Sequence, residues 1–421
     1  MPRTGLEPTH PCENLDLNQA RLPIPPSGQL HSNSGNINKT EDRVNSVDRR
    51  ICSVIFECMG KTRFIIVGSG WRSLYYVRIA KALPDHFELC ALLCRTEEKA
   101  KRMAAENNIH ATTSESECEA LKPDVVVVAV NKASIAEVSI HWLEKGFCVL
   151  SETPAALELP MLQRLWELHL KGAKLVVNEQ YHLYPIYRAL LSISESGILG
   201  EKSCLNCSLA HEYHGASLMR SLLGIHQSEQ FSIRAKTYEF PTTETLTRYE
   251  SFTDGRIAMK KRTVATIEFR NGKVVLYDFD GEQYRSPIRK NALKLQGVRG
   301  EIIDNTVYYL DGENKPATSP LVVTSHKVKT DYDNPNLRVI DEVTDISFEG
   351  KSLYKSEFGQ CALAQDETAM ATMLERTAQY AKGGLSPYPL ENALQDAYTM
   401  ILMQRAVETG ETVNSEVQSW N

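Results

Sequence analysis

The first 58 residues show no helical or strand repeat and are rich in Pro, Asn, Ser and Asp. Such a segment cannot bury enough apolar surface to order itself. It is expected to be a disordered extension ahead of a fold that starts at Met59-Gly60-Lys61-Thr62. The apolar stretch at 51–58 is too brief for a signal sequence with its cleavage site. From Lys61 onward apolar runs alternate with helical spacing. Residues 64–67 (FIIV), 87–94, 124–130, 148–151 and 174–178 read as strands, and 73–83, 97–107, 134–145 and 159–171 as helices. The unbroken DVVVVAV at 124–130 marks a parallel strand covered on both faces. Strands separated by helices predict right-handed βαβ units and a doubly wound parallel sheet, the Rossmann arrangement of an α/β protein.

After Glu179 the pattern changes. One helix, 185–196, precedes strand-like runs at 203–211, 230–239, 263–270, 273–279, 291–297, 301–310 and 321–328. Asn271-Gly272 between two of them is a strong hairpin turn. A polar loop is expected at 331–336, then helices at 365–382 and 389–409. Leu390, Leu394, Ala397 and Ile401 form a helical stripe and belong to the core. The expected organisation is an extension (1–58), a Rossmann domain (59–180) and an α+β domain with a large open, mainly antiparallel sheet (181–409). A tail (410–421) follows, in which Trp420 should pack on something. Bare sheet surface and edges invite pairing, so a homodimer or homotetramer is expected.

Composition narrows the function. The chain has 421 residues, 42% hydrophobic and 24% charged, with a formal net charge of −6. Nothing favours nucleic acid or an anionic membrane as partner, and no apolar run approaches the roughly 20 residues of a membrane helix. Ten cysteines without a secreted framework fit a reducing cytoplasm. Cys204-x-x-Cys207 lies in a strand-like run, where its two thiols would face opposite ways. No residue set has metal-ligand spacing. The partner expected is a small-molecule substrate.

The chemistry begins at Gly68-Ser69-Gly70-Trp71-Arg72-Ser73. Gly68 lets the chain turn sharply off the strand, and Gly70 lets the backbone approach a diphosphate at the N-terminus of the next helix. Ser73 stands where a third glycine would complete the fingerprint and is small enough for close helix–strand packing. Strand, glycine turn and helix in this order read as dinucleotide binding; the alternative is an ordinary tight turn. A ligand there lies at the carboxyl ends of the strands, so Gly68, Ser69, Gly70, Trp71, Arg72, Arg95, Asn131, Lys132, Glu152 and Thr153 are the cofactor-binding candidates. The second strand ends in Cys94-Arg95-Thr96, without the acid that would bond the ribose 2′-hydroxyl of NAD. Arg95 suits a 2′-phosphate, so NADP is preferred over NAD. The alternatives are a solvated Arg95 or one stacked on adenine.

DVVVVAVNKAS…HWLEKGFCVLSETPAA and NEQYHLYPIYRALLSISESGILGE resemble segments of the glucose–fructose oxidoreductase / inositol dehydrogenase family, Gfo/Idh/MocA. The resemblance covers about residues 61–409. It implies an NAD(P)-dependent oxidoreductase that moves hydride between nicotinamide and a small carbonyl or imine carbon. The family's E-K-P lysine serves as acid/base, but this chain has Glu152-Thr153-Pro154, and threonine cannot supply a proton near neutral pH. The family's T-P-N-x-x-H histidine falls on Ile135, and its D-x-x-x-H pair falls near Ser221 and Ile225. Thiazolinyl imine reductases also lack the lysine and carry a tyrosine after a V-N strand, which is similar to Tyr181 here. Candidate acid/base groups are Tyr181 and His182 off that strand end, and His214, with His211, just before a helix expected at 215–223. Arg220 is a candidate for an anionic substrate group. A catalytically inactive, nucleotide-bound sensor or structural subunit is the alternative from another functional class.

Overall fold

Strand β1 (Thr62–Val67) occupies the middle of a six-stranded parallel sheet. The computed structural model describes residues 60–330 and 338–421. The expected N-terminal extension and the polar loop at 331–336 lie outside the described residues. Along the first half of the chain follow α1 (Ser73–Ala82), β2 (Phe87–Leu93), α2 (Glu97–Asn107), β3 (Ala111–Thr112), α3 (Glu115–Ala120) and β4 (Val125–Val128). Then come α4 (Ile135–Glu144), β5 (Val149–Ser151), α5 (Leu159–Leu170) and β6 (Leu175–Val177). The strand order is β3-β2-β1-β4-β5-β6. All four valines of β4 are fully buried, as a parallel strand covered on both faces requires. The short β3–α3 excursion was not expected from the sequence. Ser114 caps α3 by accepting the Glu117 amide at 3.2 Å, a signal weakened by the brevity of both elements.

The chain leaves β6 through a 3₁₀ turn (Tyr181–Leu183) into α6 (Pro185–Glu195). The second sheet has nine strands. It is built from β7 (Lys202–Ser208), β8 (Phe231–Thr243), β9 (Ile257–Phe269), β10 (Val274–Asp280), β11 (Ala292–Gly297), β12 (Gly300–Ile303), β13 (Thr306–Leu310) and β14 (Pro316–Pro320). Helix α7 (Glu212–Leu223) lies between β7 and β8, and a second 3₁₀ turn (Gly281–Tyr284) follows β10. The sheet is mainly antiparallel, with β7 and β10 paired in parallel.

Several boundaries differ from expectation. The run at 301–310 is a hairpin, not one strand, because the chain turns at Asp304, which has φ +50°. Strand β9 starts six residues earlier than its apolar pattern implied. Its outward Lys260 and Arg262 hide the strand signal but pair across the sheet, Lys260 with Glu244 at 2.7 Å and Arg262 with Asp278 and Asp280, which is how a charged strand face is held. The run at 321–328 becomes β15 (Val322–Lys329), which joins β16 (Val339–Phe348) and β17 (Lys351–Lys355) in a separate three-stranded sheet.

Helix α8 (Gln365–Ala381) returns to the parallel sheet. Arg78 of α1 pairs with its Glu367 at 2.5 Å, His86 meets Glu375 at 3.1 Å, and Lys174 donates to the Ala381 carbonyl at 2.7 Å. Helix α9 (Leu390–Thr409) carries the expected stripe, with Leu390, Leu394 and Ala397 buried. The terminal β18 (Val413–Asn414) adds to the edge of the nine-stranded sheet beside β8. Trp420 is buried and donates its indole N–H to Gln395 at 3.0 Å. No described helix is long and apolar enough to cross a membrane.

Candidate functional site

The turn after β1 is held by two contacts that its residues make necessary. Gly68 has φ +112°, and a Cβ there would lie 2.5 Å from the Ala129 carbonyl oxygen, so the position admits no side chain. Ser73 is buried and donates its hydroxyl to the Gly68 carbonyl at 2.8 Å. The serine thereby ties the start of α1 to the turn where the fingerprint has glycine. Gly70 is the opposite case, because a Cβ there would meet nothing within 4 Å. Among the described residues no protein acceptor takes the amides of Gly70, Trp71 or Arg72. Open space over bare main-chain amides at a helix N-terminus fits a diphosphate.

Beside the turn lies a cleft of about 780 Å³, bordered by both halves of the chain. Of the candidates, it brings together Trp71, Arg72, Asn131, Lys132, Glu152, Thr153, Tyr181 and His214. Arg72 turns into its wall and pairs with Glu152 at 3.0 Å. The other Glu152 oxygen accepts from the Tyr76 hydroxyl at 2.6 Å and the Asn178 amide at 2.8 Å. Both side chains are therefore engaged with each other, and Glu152 is bound up in the wall. Burial opposes the Arg72 charge most strongly, but Glu152, together with Tyr76, Asp366 and Tyr184, outweighs it and holds the guanidinium protonated.

The centre of the cleft is aromatic. The Tyr181 ring stacks on His214 with centroids 4.2 Å apart and on Tyr184 at 4.6 Å. His214 places Nδ1 2.5 Å from a carboxylate oxygen of Glu179, and its Nε2 lies 3.4 Å from the Thr153 hydroxyl. The other Glu179 oxygen accepts the Tyr181 amide at 3.1 Å. Burial lowers the His214 pKa to about 3, raises that of Glu179 and raises that of the Tyr181 phenol. The imidazole is neutral and the phenol keeps its proton, the states an acid/base pair needs near neutral pH.

His214 lies inside the first turn of α7 rather than ahead of it. The Gly215 amide donates to the His211 carbonyl at 3.0 Å, so the helix starts earlier than expected. His182 is not among the cleft residues. The 3₁₀ turn sends it away from Tyr181 and onto Tyr388, with rings 5.1 Å apart. Arg220 is bound to Asp396 at 2.9 Å and Tyr388 at 2.7 Å, also outside the cleft. Arg95 is exposed just past the end of β2 and does not line the cavity.

Sequence reasoning missed Glu179, Tyr284 and Arg248. Glu179 stood within the quoted segment NEQYHLYPIYRALLSISESGILGE and needed only the question of what holds His214. Tyr284 closes a capping box in which Asp280 accepts the Glu282 amide at 3.0 Å and Gln283 accepts the Asp280 amide at 3.0 Å. The D-x-x-Q spacing was legible. Arg248, on the loop between β8 and β9, lies 3.4 Å over the Trp71 ring, a contact between distant segments that no local signal announces.

The 3-2-1-4-5-6 strand order, the glycine turn and the cleft at the strand ends define a Rossmann-type dinucleotide-binding protein. Residues 62–180 match the model of an oxidoreductase family with an NAD-binding Rossmann fold. The Rossmann portion of the chain thus matches the Gfo/Idh/MocA oxidoreductase family. Solved structures share the fold across both sheets. Myo-inositol 2-dehydrogenase from Lactobacillus plantarum is 13% identical, with 85% of this chain and 100% of that one covered and a TM-score of 0.56. Scyllo-inositol dehydrogenase from Lactobacillus casei is 14% identical, with coverage of 85% and 99% and a TM-score of 0.56. GenD2 from gentamicin A biosynthesis, solved in complex with NAD, is 15% identical, with coverage of 85% and 97% and a TM-score of 0.57. No curated protein sequence matches the chain.

Proposed function

We propose that the chain is an NAD(P)-dependent oxidoreductase acting on a small carbonyl or imine, or on the corresponding alcohol or amine. One observation carries this reading. Tyr181 and His214, from separate segments, face one cleft that opens beside the Gly68–Arg72 turn. The amides of Gly70, Trp71 and Arg72 would hold the diphosphate, and Asn131 and Lys132 would border the nicotinamide half. When bound, the nicotinamide supplies the hydride chemistry.

The protein's own work is orientation and proton transfer. Tyr181 is held by its stacking on His214 and by the Glu179 contact to its amide. From there its phenol exchanges the proton with the substrate heteroatom. Thr153 takes the place of the family's lysine beside His214 Nε2 and orients without titrating. The absent lysine and the placement of Tyr181 leave an imine substrate as open to this site as a carbonyl. Arg95, exposed at the end of β2 with no acid beside it, supports NADP over NAD.

Fluorescence titration with NADPH and NADH tests the nucleotide site. NADPH oxidation over a panel of small carbonyls and imines tests the chemistry. Tyr181→Phe is expected to bind NADPH as the wild type does and to lose roughly a hundredfold or more in rate. A rate equal to the wild type removes Tyr181 from the reaction.

A further inference from the structure

Trp71 sits inside the turn whose amides are left bare, and its ring is covered from the other half of the chain. The Arg248 guanidinium lies 3.4 Å over the Trp71 ring, which packs edge-on to Tyr75 at 5.5 Å between centroids. Arg248 is presented by a hydrogen-bonded turn. The Thr247 amide donates to the Glu250 carbonyl at 2.8 Å, the Thr247 hydroxyl accepts the Glu250 amide at 3.0 Å, and the Phe252 amide donates to the Thr245 carbonyl at 2.8 Å. The Thr245 hydroxyl meets that of Ser286 at 2.9 Å, which joins this turn to the one carrying Tyr284 and Arg285. That second turn is anchored in its own right, because the Tyr284 oxygen accepts the His211 amide at 3.0 Å. Arg72, Arg248 and Arg285 thus line one cleft. Glu152 and Asp366 offset the charge of Arg72, whereas burial and then Arg285 oppose the charge of Arg248 and lower its pKa. Like charges drawn together in a cleft repel, and an anion placed among them removes that cost.

We propose that Arg248 is a binding residue for the nicotinamide nucleotide and clamps its diphosphate from the second half of the chain. The inference rests on the oxidoreductase reading above and deepens it, because it adds a cation from the far wall to the Gly68–Arg72 turn. Each group has a distinct part. The amides of Gly70, Trp71 and Arg72 offer directional N–H donors and the partial positive charge of a helix N-terminus. The Arg72 side chain is engaged by Glu152 in the wall at 3.0 Å, so the full positive charge that a diphosphate calls for comes from elsewhere. Arg248 supplies it, and its planar fork suits two phosphate oxygens. Trp71 is the platform, since an indole face attracts a guanidinium and limits its swing. That gives a purpose to a tryptophan that is 43% exposed within the turn. NADH and NADPH carry the same diphosphate, so Arg248 binds both alike and takes no part in choosing between them.

Three ligands separate the possible sources of negative charge. NADH, NADPH and ADP-ribose share the diphosphate, NADPH alone adds the 2′-phosphate, and ADP-ribose lacks the nicotinamide. In fluorescence titrations of the two nucleotides and calorimetry of ADP-ribose, Arg248→Gln should weaken all three by about tenfold. A loss confined to NADPH would assign Arg248 to the 2′-phosphate, and three unchanged affinities would leave it no part in nucleotide binding. Either result overturns the proposal. Arg248→Lys keeps the charge without the fork, and serves also if Arg248→Gln melts early. It should keep the wild-type dependence of NADH affinity on salt, whereas Arg248→Gln should flatten it; a salt dependence in Arg248→Gln as steep as the wild type's means that no charge contact was lost and refutes the clamp. At saturating NADH, amide hydrogen exchange across residues 244–252 should slow in the wild type and keep its nucleotide-free rate in Arg248→Gln. Equal slowing in both also refutes the clamp. Failure of the wild type to bind any of the three ligands defeats the oxidoreductase reading and the clamp together, whereas normal wild-type binding with an unaltered Arg248→Gln defeats the clamp alone.

Discussion

Glu179 and His214 meet at 2.5 Å, oxygen to Nδ1, in a site where both side chains are almost wholly removed from water. The contact joins the end of the parallel sheet to the first turn of α7, so it sets the distance between the two halves of the cleft. It also selects the imidazole atom that faces Thr153. With Nδ1 held by the carboxylate, Nε2 is the nitrogen left toward the cleft. The same carboxylate holds the amide of Tyr181. One buried acid thus orients both groups that the proposed chemistry uses.

His182 yields a prediction about acid stability that is independent of any substrate. Burial lowers its pKa from 6.5 to about 4, and among the described residues its Nδ1 has no partner. Between those two values the unfolded chain binds the proton and the folded one does not. Stability therefore falls as pH drops from 6.5 to about 4, by up to ~1.4 kcal/mol per pH unit for this one group. Buried carboxyls such as Glu179 and Glu367 have raised values and act in the opposite sense. They cancel in a comparison of two proteins that both contain them. His182→Phe keeps a ring on Tyr388 and removes the titration. Its urea midpoints should fall less steeply than the wild type's between pH 6.5 and 4, and parallel curves would refute the assignment.

The two glycines of the turn should behave differently. Gly68→Ala places a methyl 2.5 Å from the Ala129 carbonyl oxygen in a left-handed backbone. It should destabilise the protein by at least ~1–3 kcal/mol, seen as a lower denaturant midpoint. Gly70→Val meets open space and should leave that midpoint in place while weakening NADPH binding tenfold or more in a fluorescence titration. Equal loss of stability in both would mean that Gly70 serves the fold and not a ligand.

The Arg72–Glu152 pair is largely buried, so breaking one side leaves an unpaired charge. Arg72→Met strands a carboxylate that still accepts from Tyr76 and Asn178, and should lower stability by roughly 3 to 5 kcal/mol. Tyr76→Phe removes a single hydrogen bond to that carboxylate and should lower stability by only ~1–3 kcal/mol. The ranking is measured by chemical denaturation. A larger effect from Tyr76→Phe would place the weight of the cluster on the phenol.

Much of this architecture was readable because its signals are local. Val125–Val128 could only be a doubly covered strand, and Gly68-Ser69-Gly70 between a strand and a helix could only be a tight βα turn. What escaped was carried by contacts distant in sequence. Arg72 and Glu152 each read as a cofactor contact because nothing local says that they pair with each other. Tyr181 and His182 looked equivalent as neighbours off one strand end, yet a 3₁₀ turn sends them to opposite sides. Charged Lys260 and Arg262 concealed the first part of β9, since the carboxylates that pair with them lie elsewhere in the chain. Tyr284 reaches the site through a capping box whose purpose shows only once His211 is beside it.

The proposed preference for NADP rests on Arg95. It is exposed just past the end of β2, where an acidic residue would bond a ribose 2′-hydroxyl and an arginine can pair with a 2′-phosphate. Thr96, next to it, caps α2 by accepting the Lys99 amide at 3.3 Å, which fixes the backbone without engaging the Arg95 side chain. Arg95→Ala should therefore weaken NADPH about tenfold, or ~1.4 kcal/mol, and leave NADH within a factor of two or so, since only one of the nucleotides carries the extra phosphate. Because the contact is exposed, the NADPH effect should shrink as salt rises. Titrating both nucleotides at low and high ionic strength measures all of this in one series. An unchanged ratio of the two affinities in Arg95→Ala would remove the physical basis for preferring NADP.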